Sequence, residues 1–293
     1  MHQPNDKPSR GLSAYDFGRT TVYACQADQR FSYCLYVPAA LREPQAREGA
    51  GVLVVVHGTE RANQALRDSF APLADALNLI VLAPLFPGGI GAAGERDAYK
   101  YIEDKGLRYD HVLLDMLAEV GGRYGVPTER FMMFGFSGGA HFAHRFLYLH
   151  PERLSAVSAC APGSPTLLDP DRDWWVGIAG VRERFGRDID LEAVRRVQVH
   201  LAVGRDDRDT DEITHAPGGA YWMPGANDSG RTRVDRLLKL AGNLEAAGVP
   251  ARVDVLDGVT HSLDPMVGAA SAFFRDLISP EPISLAAGGG GRE

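Results

Sequence analysis

Short apolar runs alternate along this chain with longer stretches in which apolar residues recur every three or four positions, and the two periods separate strands from helices. Residues 20–24 and 31–37 read as strands joined through a polar turn. Residues 52–56 (Val-Leu-Val-Val-Val) and 79–83 (Leu-Ile-Val-Leu-Ala) are apolar throughout, so both faces need cover, as in parallel strands between helix layers. Between them Leu66, Phe70, Leu73, Ala74 and Leu77 predict one helix with a single apolar face. The same rhythm predicts a helix through Val112, Met116 and Val120 that stops near Gly121-Gly122. It then gives a strand over 131–136, a helix over 140–149 ended by Pro151, and strands over 155–161 and 197–203. A long helix through Leu237 and Leu244, an edge strand over 252–256 and a helix over 266–278 complete the pattern. Strands separated by helices predict an α/β fold, a mostly parallel central sheet flanked by helices.

One connection breaks this rhythm. Residues 163–196 lie between two strands and exceed an ordinary loop, and they carry Trp174, Trp175, Val176, Val181 and Phe185 among charges. They are expected to form a short cap inserted in a single domain spanning 16–279. Residues 1–15 and the glycine-rich 280–293 are expected to be loosely ordered.

Composition narrows the function classes. The 293 residues are 45% hydrophobic, enough for a sizeable core, and no run is long and apolar enough for a membrane span. With 31 basic against 38 acidic side chains the formal charge is −7, which argues against a nucleic-acid partner. Three cysteines, Cys25, Cys34 and Cys160, read as free buried thiols in a reduced compartment. With no leader-like N-terminus, the expected location is cytoplasmic.

The sharpest local signal is Gly135-Phe136-Ser137-Gly138-Gly139, a Gly-x-Ser-x-Gly string with a predicted strand before it and a helix after it. Its residues are common, so the string alone is weak, but its setting is that of a strained strand-to-helix bend presenting a nucleophilic serine. A serine needs a base oriented by a third group. Of the downstream histidines, His141, His144 and His150 fall on or at the end of the helix after the bend, and His200 falls inside a strand. His261 follows a strand end through a loop and is the candidate base. The candidate acid leaves another strand end in Gly204-Arg205-Asp206-Asp207, with Asp207 preferred and Asp206 the alternative. Asp209, Asp211 and Glu212 read as a solvated acidic loop, and the acids from Asp206 to Glu212 argue against anionic substrates. The backbone N–H groups of Gly138 and Thr59, the latter just past the strand ending at His57, are candidate oxyanion donors. His57 itself reads as a structural residue. Phe136, Trp174, Trp175, Tyr221 and Trp222 are candidates for a substrate pocket, with ordinary packing as the other reading of the tryptophans and Tyr221. Gly89-Ile90-Gly91-Ala92-Ala93-Gly94 fits a dinucleotide-binding string, but Pro84 and Pro87 separate it from its strand, so it reads as a flexible loop near the site. No metal site is expected, because His141 and His144 lack a third clustered ligand.

With these pieces in order, the chain resembles the α/β-hydrolase superfamily over about residues 31–277. Within it the chain is similar to bacterial serine esterases of the polyhydroxybutyrate depolymerase and feruloyl esterase branch, on softer features such as Arg108-Tyr109-Asp110. The resemblance implies an α/β-hydrolase fold and hydrolysis of carboxylic esters through an acyl-enzyme. It implies Ser137, Asp207 and His261 as the triad, Thr59 and Gly138 as oxyanion donors, and no cofactor. It leaves open an amidase, peptidase, thioesterase or acyltransferase on the same triad, and a non-catalytic binding protein on the scaffold. The expected partner is a small or oligomeric ester. Oligomeric state is not legible in the sequence.

Overall fold

The computed structural model describes residues 11–278. Strands β1 (Gly18–Ala24) and β2 (Ser32–Val37) form an antiparallel pair, followed by the short helix α1 (Pro44–Glu48). Next come β3 (Gly51–Val56), α2 (Asn63–Ser69), α3 (Ala71–Leu77) and β4 (Leu79–Leu85). A small hairpin, β5 (Glu103–Asp104) with β6 (Leu107–Arg108), leads into α4 (Tyr109–Tyr124). After β7 (Phe131–Phe136), α5 (Gly138–Leu149) and β8 (Leu154–Cys160) lie two short helices, α6 (Val181–Phe185) and α7 (Leu191–Arg195). The chain closes with β9 (Gln198–Gly204), α8 (Arg233–Ala246), β10 (Ala251–Leu256) and α9 (Leu263–Ile278).

Eight strands form one sheet in the order β1-β2-β4-β3-β7-β8-β9-β10. It is antiparallel at β1–β2 and β2–β4 and parallel from β4 onward. The apolar runs are covered on both faces, as predicted. Val52, Val54 and Val56 point into a cluster with Leu113, Met116, Phe142 and Phe146. Leu53 and Val55 point to the other side, among Leu66, Phe70, Leu73, Phe273 and Phe274. The three cysteines are free and buried. No helix among the described residues is long and apolar enough to cross a membrane.

Two helices differ from expectation. The single helix read through Leu66 to Leu77 is two, broken at Phe70. Pro72 would remove an interior hydrogen bond and press its ring on the preceding turn, so the chain restarts and places Pro72 in the first turn of α3, where no N–H is needed. Helix α4 runs through Gly121-Gly122 to Tyr124 and ends at Gly125, whose φ of 66° suits glycine. Gly121 serves close approach instead, because a Cβ there would sit 2.9 Å from Thr128 Oγ1.

Residues 163–196 form a turn-rich layer carrying α6 and α7, with Trp174, Trp175, Val176 and Phe185 packed inward. A second long connection, 205–232, joins β9 to α8 with no regular element of its own. The buried Arg236 holds it by donating to the carbonyls of Gly230 (2.9 Å), Ile213 (2.6 Å) and Gly163. Of the expected loose terminal segments, residues 1–10 and 280–293 lie outside the described residues. Ser13 is tied down, its N–H and hydroxyl donating to the buried Asp16 carboxylate at 2.6 and 2.8 Å.

The start of α4 is pinned by Asp110, fully buried, which accepts from Arg108 Nε (2.8 Å) and Nη2 (2.5 Å) and pairs with His150 Nε2 (2.7 Å) at the end of α5. Burial pushes the Asp110 carboxyl up, but the hydrogen bonds from His150 and Arg108 outweigh it and hold it at about 2. Because the folded value lies below the ordinary carboxylate range, this stabilisation is complete above pH ~4 and is lost as pH falls toward 2. Asp110→Asn is therefore expected to cost about 2 kcal/mol at neutral pH. Denaturant unfolding between pH 2 and 7 is expected to show a shallower acid slope in the variant; an unchanged slope contradicts the assignment.

Candidate active site

Four loops leave the carboxyl ends of β3, β7, β9 and β10 on one edge of the sheet, where parallel strands gather their outgoing connections. At the end of β7 the chain reverses through Ser137, with φ 54° and ψ −115°, a conformation that non-glycine residues rarely occupy. It is held by Ser137 N–H donating to Cys160 O (2.9 Å), and by Ser137 O accepting from Ala140 (3.0 Å) and His141 (3.2 Å). The glycines are steric necessities. A Cβ at Gly135 would overlap the Gly139 carbonyl, and one at Gly139 would overlap the Val56 carbonyl of β3. One at Gly138 would collide with the Tyr99 hydroxyl and the Lys100 stem.

The loops from β9 and β10 are stitched together. Arg205 N–H donates to Leu256 O and Asp206 N–H to Val259 O, both at 2.9 Å, and Gly204 lets the Val259 carbonyl come within reach. The stitching sets Asp207 Oδ2 2.6 Å from His261 Nδ1. The other carboxylate oxygen, Oδ1, accepts from Arg233 Nη1 at 2.9 Å, inside the protein. Burial raises the Asp207 carboxyl, but His261 and then Arg233 outweigh it, and the net shift is downward. Asp207 is therefore an anion that fixes the imidazole with Nε2 free. Asp206 points to solvent, its nearest cation being Arg208 at 3.9 Å, so of the two sequence candidates Asp207 is the one on the histidine. Arg233 has no signal of its own in the sequence, since it is the first residue of α8 and meets Asp207 only through the fold.

Ser137 and His261 line one cavity of about 410 Å³, together with Phe136, Thr59, Gly58 and Leu263. The Phe136 ring stacks on the His261 imidazole, with centroids 4.7 Å apart. Gly138 opens α5, where the first-turn N–H groups have no helical acceptor, and neither its N–H nor that of Thr59 has a protein acceptor among the described residues. His57 is buried, and burial pushes its imidazole down to about 4, so it is neutral. Its Nε2 accepts from Phe86 N–H (3.0 Å) and its Nδ1–H donates to Gly58 O (2.8 Å), which anchors the loop carrying Thr59.

The aromatic candidates divide. Trp222 lines a second cavity of about 370 Å³ beside the first. Trp174 and Trp175 line neither cavity and are packing residues. Trp174 packs on Phe185, while Trp175 donates to Tyr221 O (3.0 Å) and packs on Tyr101 behind the second cavity wall. His141 and His144 tie the insertion to α5, with His141 Nε2 accepting from Gly163 (2.6 Å) and Ser164 (3.0 Å) and His144 Nε2 from Thr166 (2.9 Å). The ligand atoms of Asp110, His111 and His150 lie within 4.8 Å of one another, but the Arg108 fork already neutralises the carboxylate. A loop of turns over residues 87–97 carries the glycine string, and Gly94 borders the second cavity.

A second Ser–His–Asp chain runs across the sheet: Ser158 Oγ lies 2.8 Å from His200 Nδ1, and His200 Nε2 lies 3.1 Å from Asp254 Oδ2. Ser158 and His200 are fully buried mid-strand, line neither cavity and have no helix N-terminus beside them. They satisfy one another as polar groups of the core, which separates them in kind from the group at Ser137.

No family model matches the chain, and no curated protein matches it in sequence. Solved structures do match in architecture. LpqC, a poly(3-hydroxybutyrate) depolymerase from Bordetella parapertussis, aligns with TM-score 0.66 and 21% identity over 84% of each chain. Poly(aspartic acid) hydrolase-1 from Sphingomonas sp. KT-1 aligns with TM-score 0.69 and 20% identity over 87% of this chain and 97% of that one. An S-formylglutathione hydrolase from Agrobacterium tumefaciens aligns with TM-score 0.58 and 17% identity over 92% and 97%. The strand order, the bend at Ser137 and these likenesses together place the chain in the α/β-hydrolase fold.

Proposed function

We propose that the chain is a serine hydrolase of carboxylic esters that works through an acyl-enzyme. Ser137 Oγ attacks the ester carbonyl while His261 takes its proton and then passes it to the leaving alcohol. Asp207, held ionised between His261 and Arg233, orients the imidazole and stabilises the imidazolium. The N–H groups of Thr59 and Gly138 receive the oxyanion. Water then enters by the same steps in reverse and frees the acid. The reaction needs no cofactor. The observation that carries this reading is the 2.6 Å bond from a buried carboxylate to His261, whose ring shares one cavity with the strained Ser137. The structural likeness to a depolymerase of a polyester adds support.

A fluorophosphonate is expected to label Ser137 stoichiometrically, and Ser137→Ala is expected to fold and to hydrolyse no p-nitrophenyl ester. Matched ester, amide and thioester substrates are expected to rank with the ester first in kcat/KM. A leading amide or thioester overturns the ester assignment, and an unlabelled serine with no turnover points to a binding protein. Asp207→Asn is expected to lower kcat by a factor on the order of 10⁴, because the imidazole loses its orienting anion.

The strained backbone gives a second readout. A positive-φ site of this kind stores about 1–3 kcal/mol in a non-glycine residue. Ser137→Gly is therefore expected to be more stable than Ser137→Ala by about 1 kcal/mol in denaturant unfolding. Equal stability of the two variants contradicts a strained bend.

A further inference from the structure

We infer that the second cavity is a carboxylate subsite, so that the ester taken by this chain carries a free acid group at a distance from the bond it loses, with Arg96 as the residue that selects it. The inference rests on the hydrolase reading for its chemistry and on the charge inventory of the cavity for its sign.

The cavity borders the one at Ser137, and Arg96 and Glu212 line both. Two of its three carboxylates face a cation, and Glu95 is hydrogen-bonded by uncharged donors only. Asp97 pairs with Lys100 Nζ at 2.5 Å, and Glu95 accepts from Ala98 N–H (2.7 Å) and the Tyr221 hydroxyl (3.1 Å). Glu212 faces Arg233 at 3.6 Å. The guanidiniums are hydrogen-bonded but not neutralised. Arg145, fully buried, donates to Thr166 Oγ1 and Ser164 O at 2.8 Å each and to Lys100 O, all uncharged acceptors. Arg236, 1% exposed, donates among the described residues only to three carbonyls and the Asn227 amide oxygen. Arg61 spends its donors on the carbonyls of Thr59, Phe86 and Arg96. The Arg96 side chain itself has no partner among the described residues.

Buried charges are normally paired, and guanidiniums cannot escape by shedding a proton in the physiological range. Two buried arginines without a carboxylate stand behind the cavity and a third, without a partner, stands on its rim; against them are only Glu95, which has no cation, and Glu212, which shares Arg233 with Asp207, so the balance of unpaired charge among the described residues is positive. His141, which lines it, adds a donor in want of an acceptor. Its Nε2 already accepts two N–H groups, so Nδ1 carries the hydrogen, and that atom is buried without a partner. The same field acts on His215, pushed down to about 4 by burial and then by Arg236 and Arg145. The inference runs opposite to the sequence expectation that the acidic loop disfavours anions; among that loop's acids only Glu212 reaches the cavity, while Asp207 is committed to His261 and Arg233.

The test compares mono-(4-nitrophenyl) glutarate with the same molecule capped as its methyl ester, which removes the charge and keeps the chain length. At low salt the free acid is expected to have a kcat/KM about tenfold above the capped ester, the scale of one charge-assisted hydrogen bond, and the gap is expected to narrow as salt is added. Arg96→Gln is expected to bring the ratio to within about twofold of one, through KM, and Arg96→Lys to restore part of it. Arg96 is exposed, so these variants are expected to fold. A wild-type ratio of one or less, or a ratio untouched by Arg96→Gln, overturns the inference. Titration of glutarate into the Ser137→Ala protein by calorimetry reads the subsite without turnover, and its heat is expected to vanish in the protein that also carries Arg96→Gln. Failure to label Ser137 with glutarate binding intact refutes the hydrolase reading alone, whereas glutarate heat that is absent, or indifferent to Arg96, refutes the subsite.

Discussion

The close approach of α5 to β3 is the constraint on which the rest of the site depends. Gly139 sits where any Cβ would overlap the Val56 carbonyl, and Gly135 sits where one would overlap the Gly139 carbonyl. Only with both side chains absent can the helix start this near the sheet. Ser137 is then forced to φ 54°, and its N–H is drawn to Cys160 O on the neighbouring strand. Strain of this kind persists when the surroundings over-determine it, and here three adjacent parallel strands do so. The same approach brings the Gly138 N–H beside the loop that follows β3, where His57 anchors Thr59.

The opposite wall is an electrostatic compromise. A carboxylate nearly out of contact with solvent at Asp207 would be protonated or expelled if left alone, because burial opposes its charge. His261 alone offers it one hydrogen bond, and Arg233 supplies a permanent cation on its other oxygen. The imidazole is thus oriented by an anion that remains an anion whichever protonation state the histidine adopts. Backbone bonds from Arg205 and Asp206 to the β10 loop keep the two side chains in register, so the pairing does not depend on either loop being rigid alone.

Sequence made the sheet legible because strands covered on both faces have no polar alternative to their apolar runs, and β7 was read to the residue. Helix ends were less legible, since Pro72 and Gly121-Gly122 each have a local meaning that packing reversed. The convergence of Ser137, Asp207 and His261 was legible because each stands just past the end of a parallel strand, and topology brings those ends to one edge. Arg233 was not, because it lies 26 positions from Asp207 across irregular chain that no periodicity describes. Trp174 and Trp175 were open to both readings because a large aromatic side chain serves a core as well as a pocket. Residue type is also insufficient by itself, as Ser158, His200 and Asp254 repeat the right three side chains at hydrogen-bonding distance inside the sheet. What distinguishes Ser137 is the unpaired N–H groups, the strained backbone and the open volume around it.

Charge is a further case in which composition and arrangement diverge. The chain has a formal charge of −7, and the loop after β9 is dense in acids, yet of that loop's acids only Asp207 is buried, and it is committed to His261 and Arg233. Charges in water are screened beyond about 8–10 Å at ordinary ionic strength, whereas one enclosed near Arg145 and Arg236 is screened much less. The local sign is therefore set by which charges are buried and unpaired, not by how many are present. Here those are guanidiniums held by carbonyl oxygens, a bonding pattern that satisfies geometry and leaves the charge standing. An acidic protein can thus present beside its serine a cavity whose balance of unpaired charge is positive, which is the ground of the carboxylate subsite inferred above.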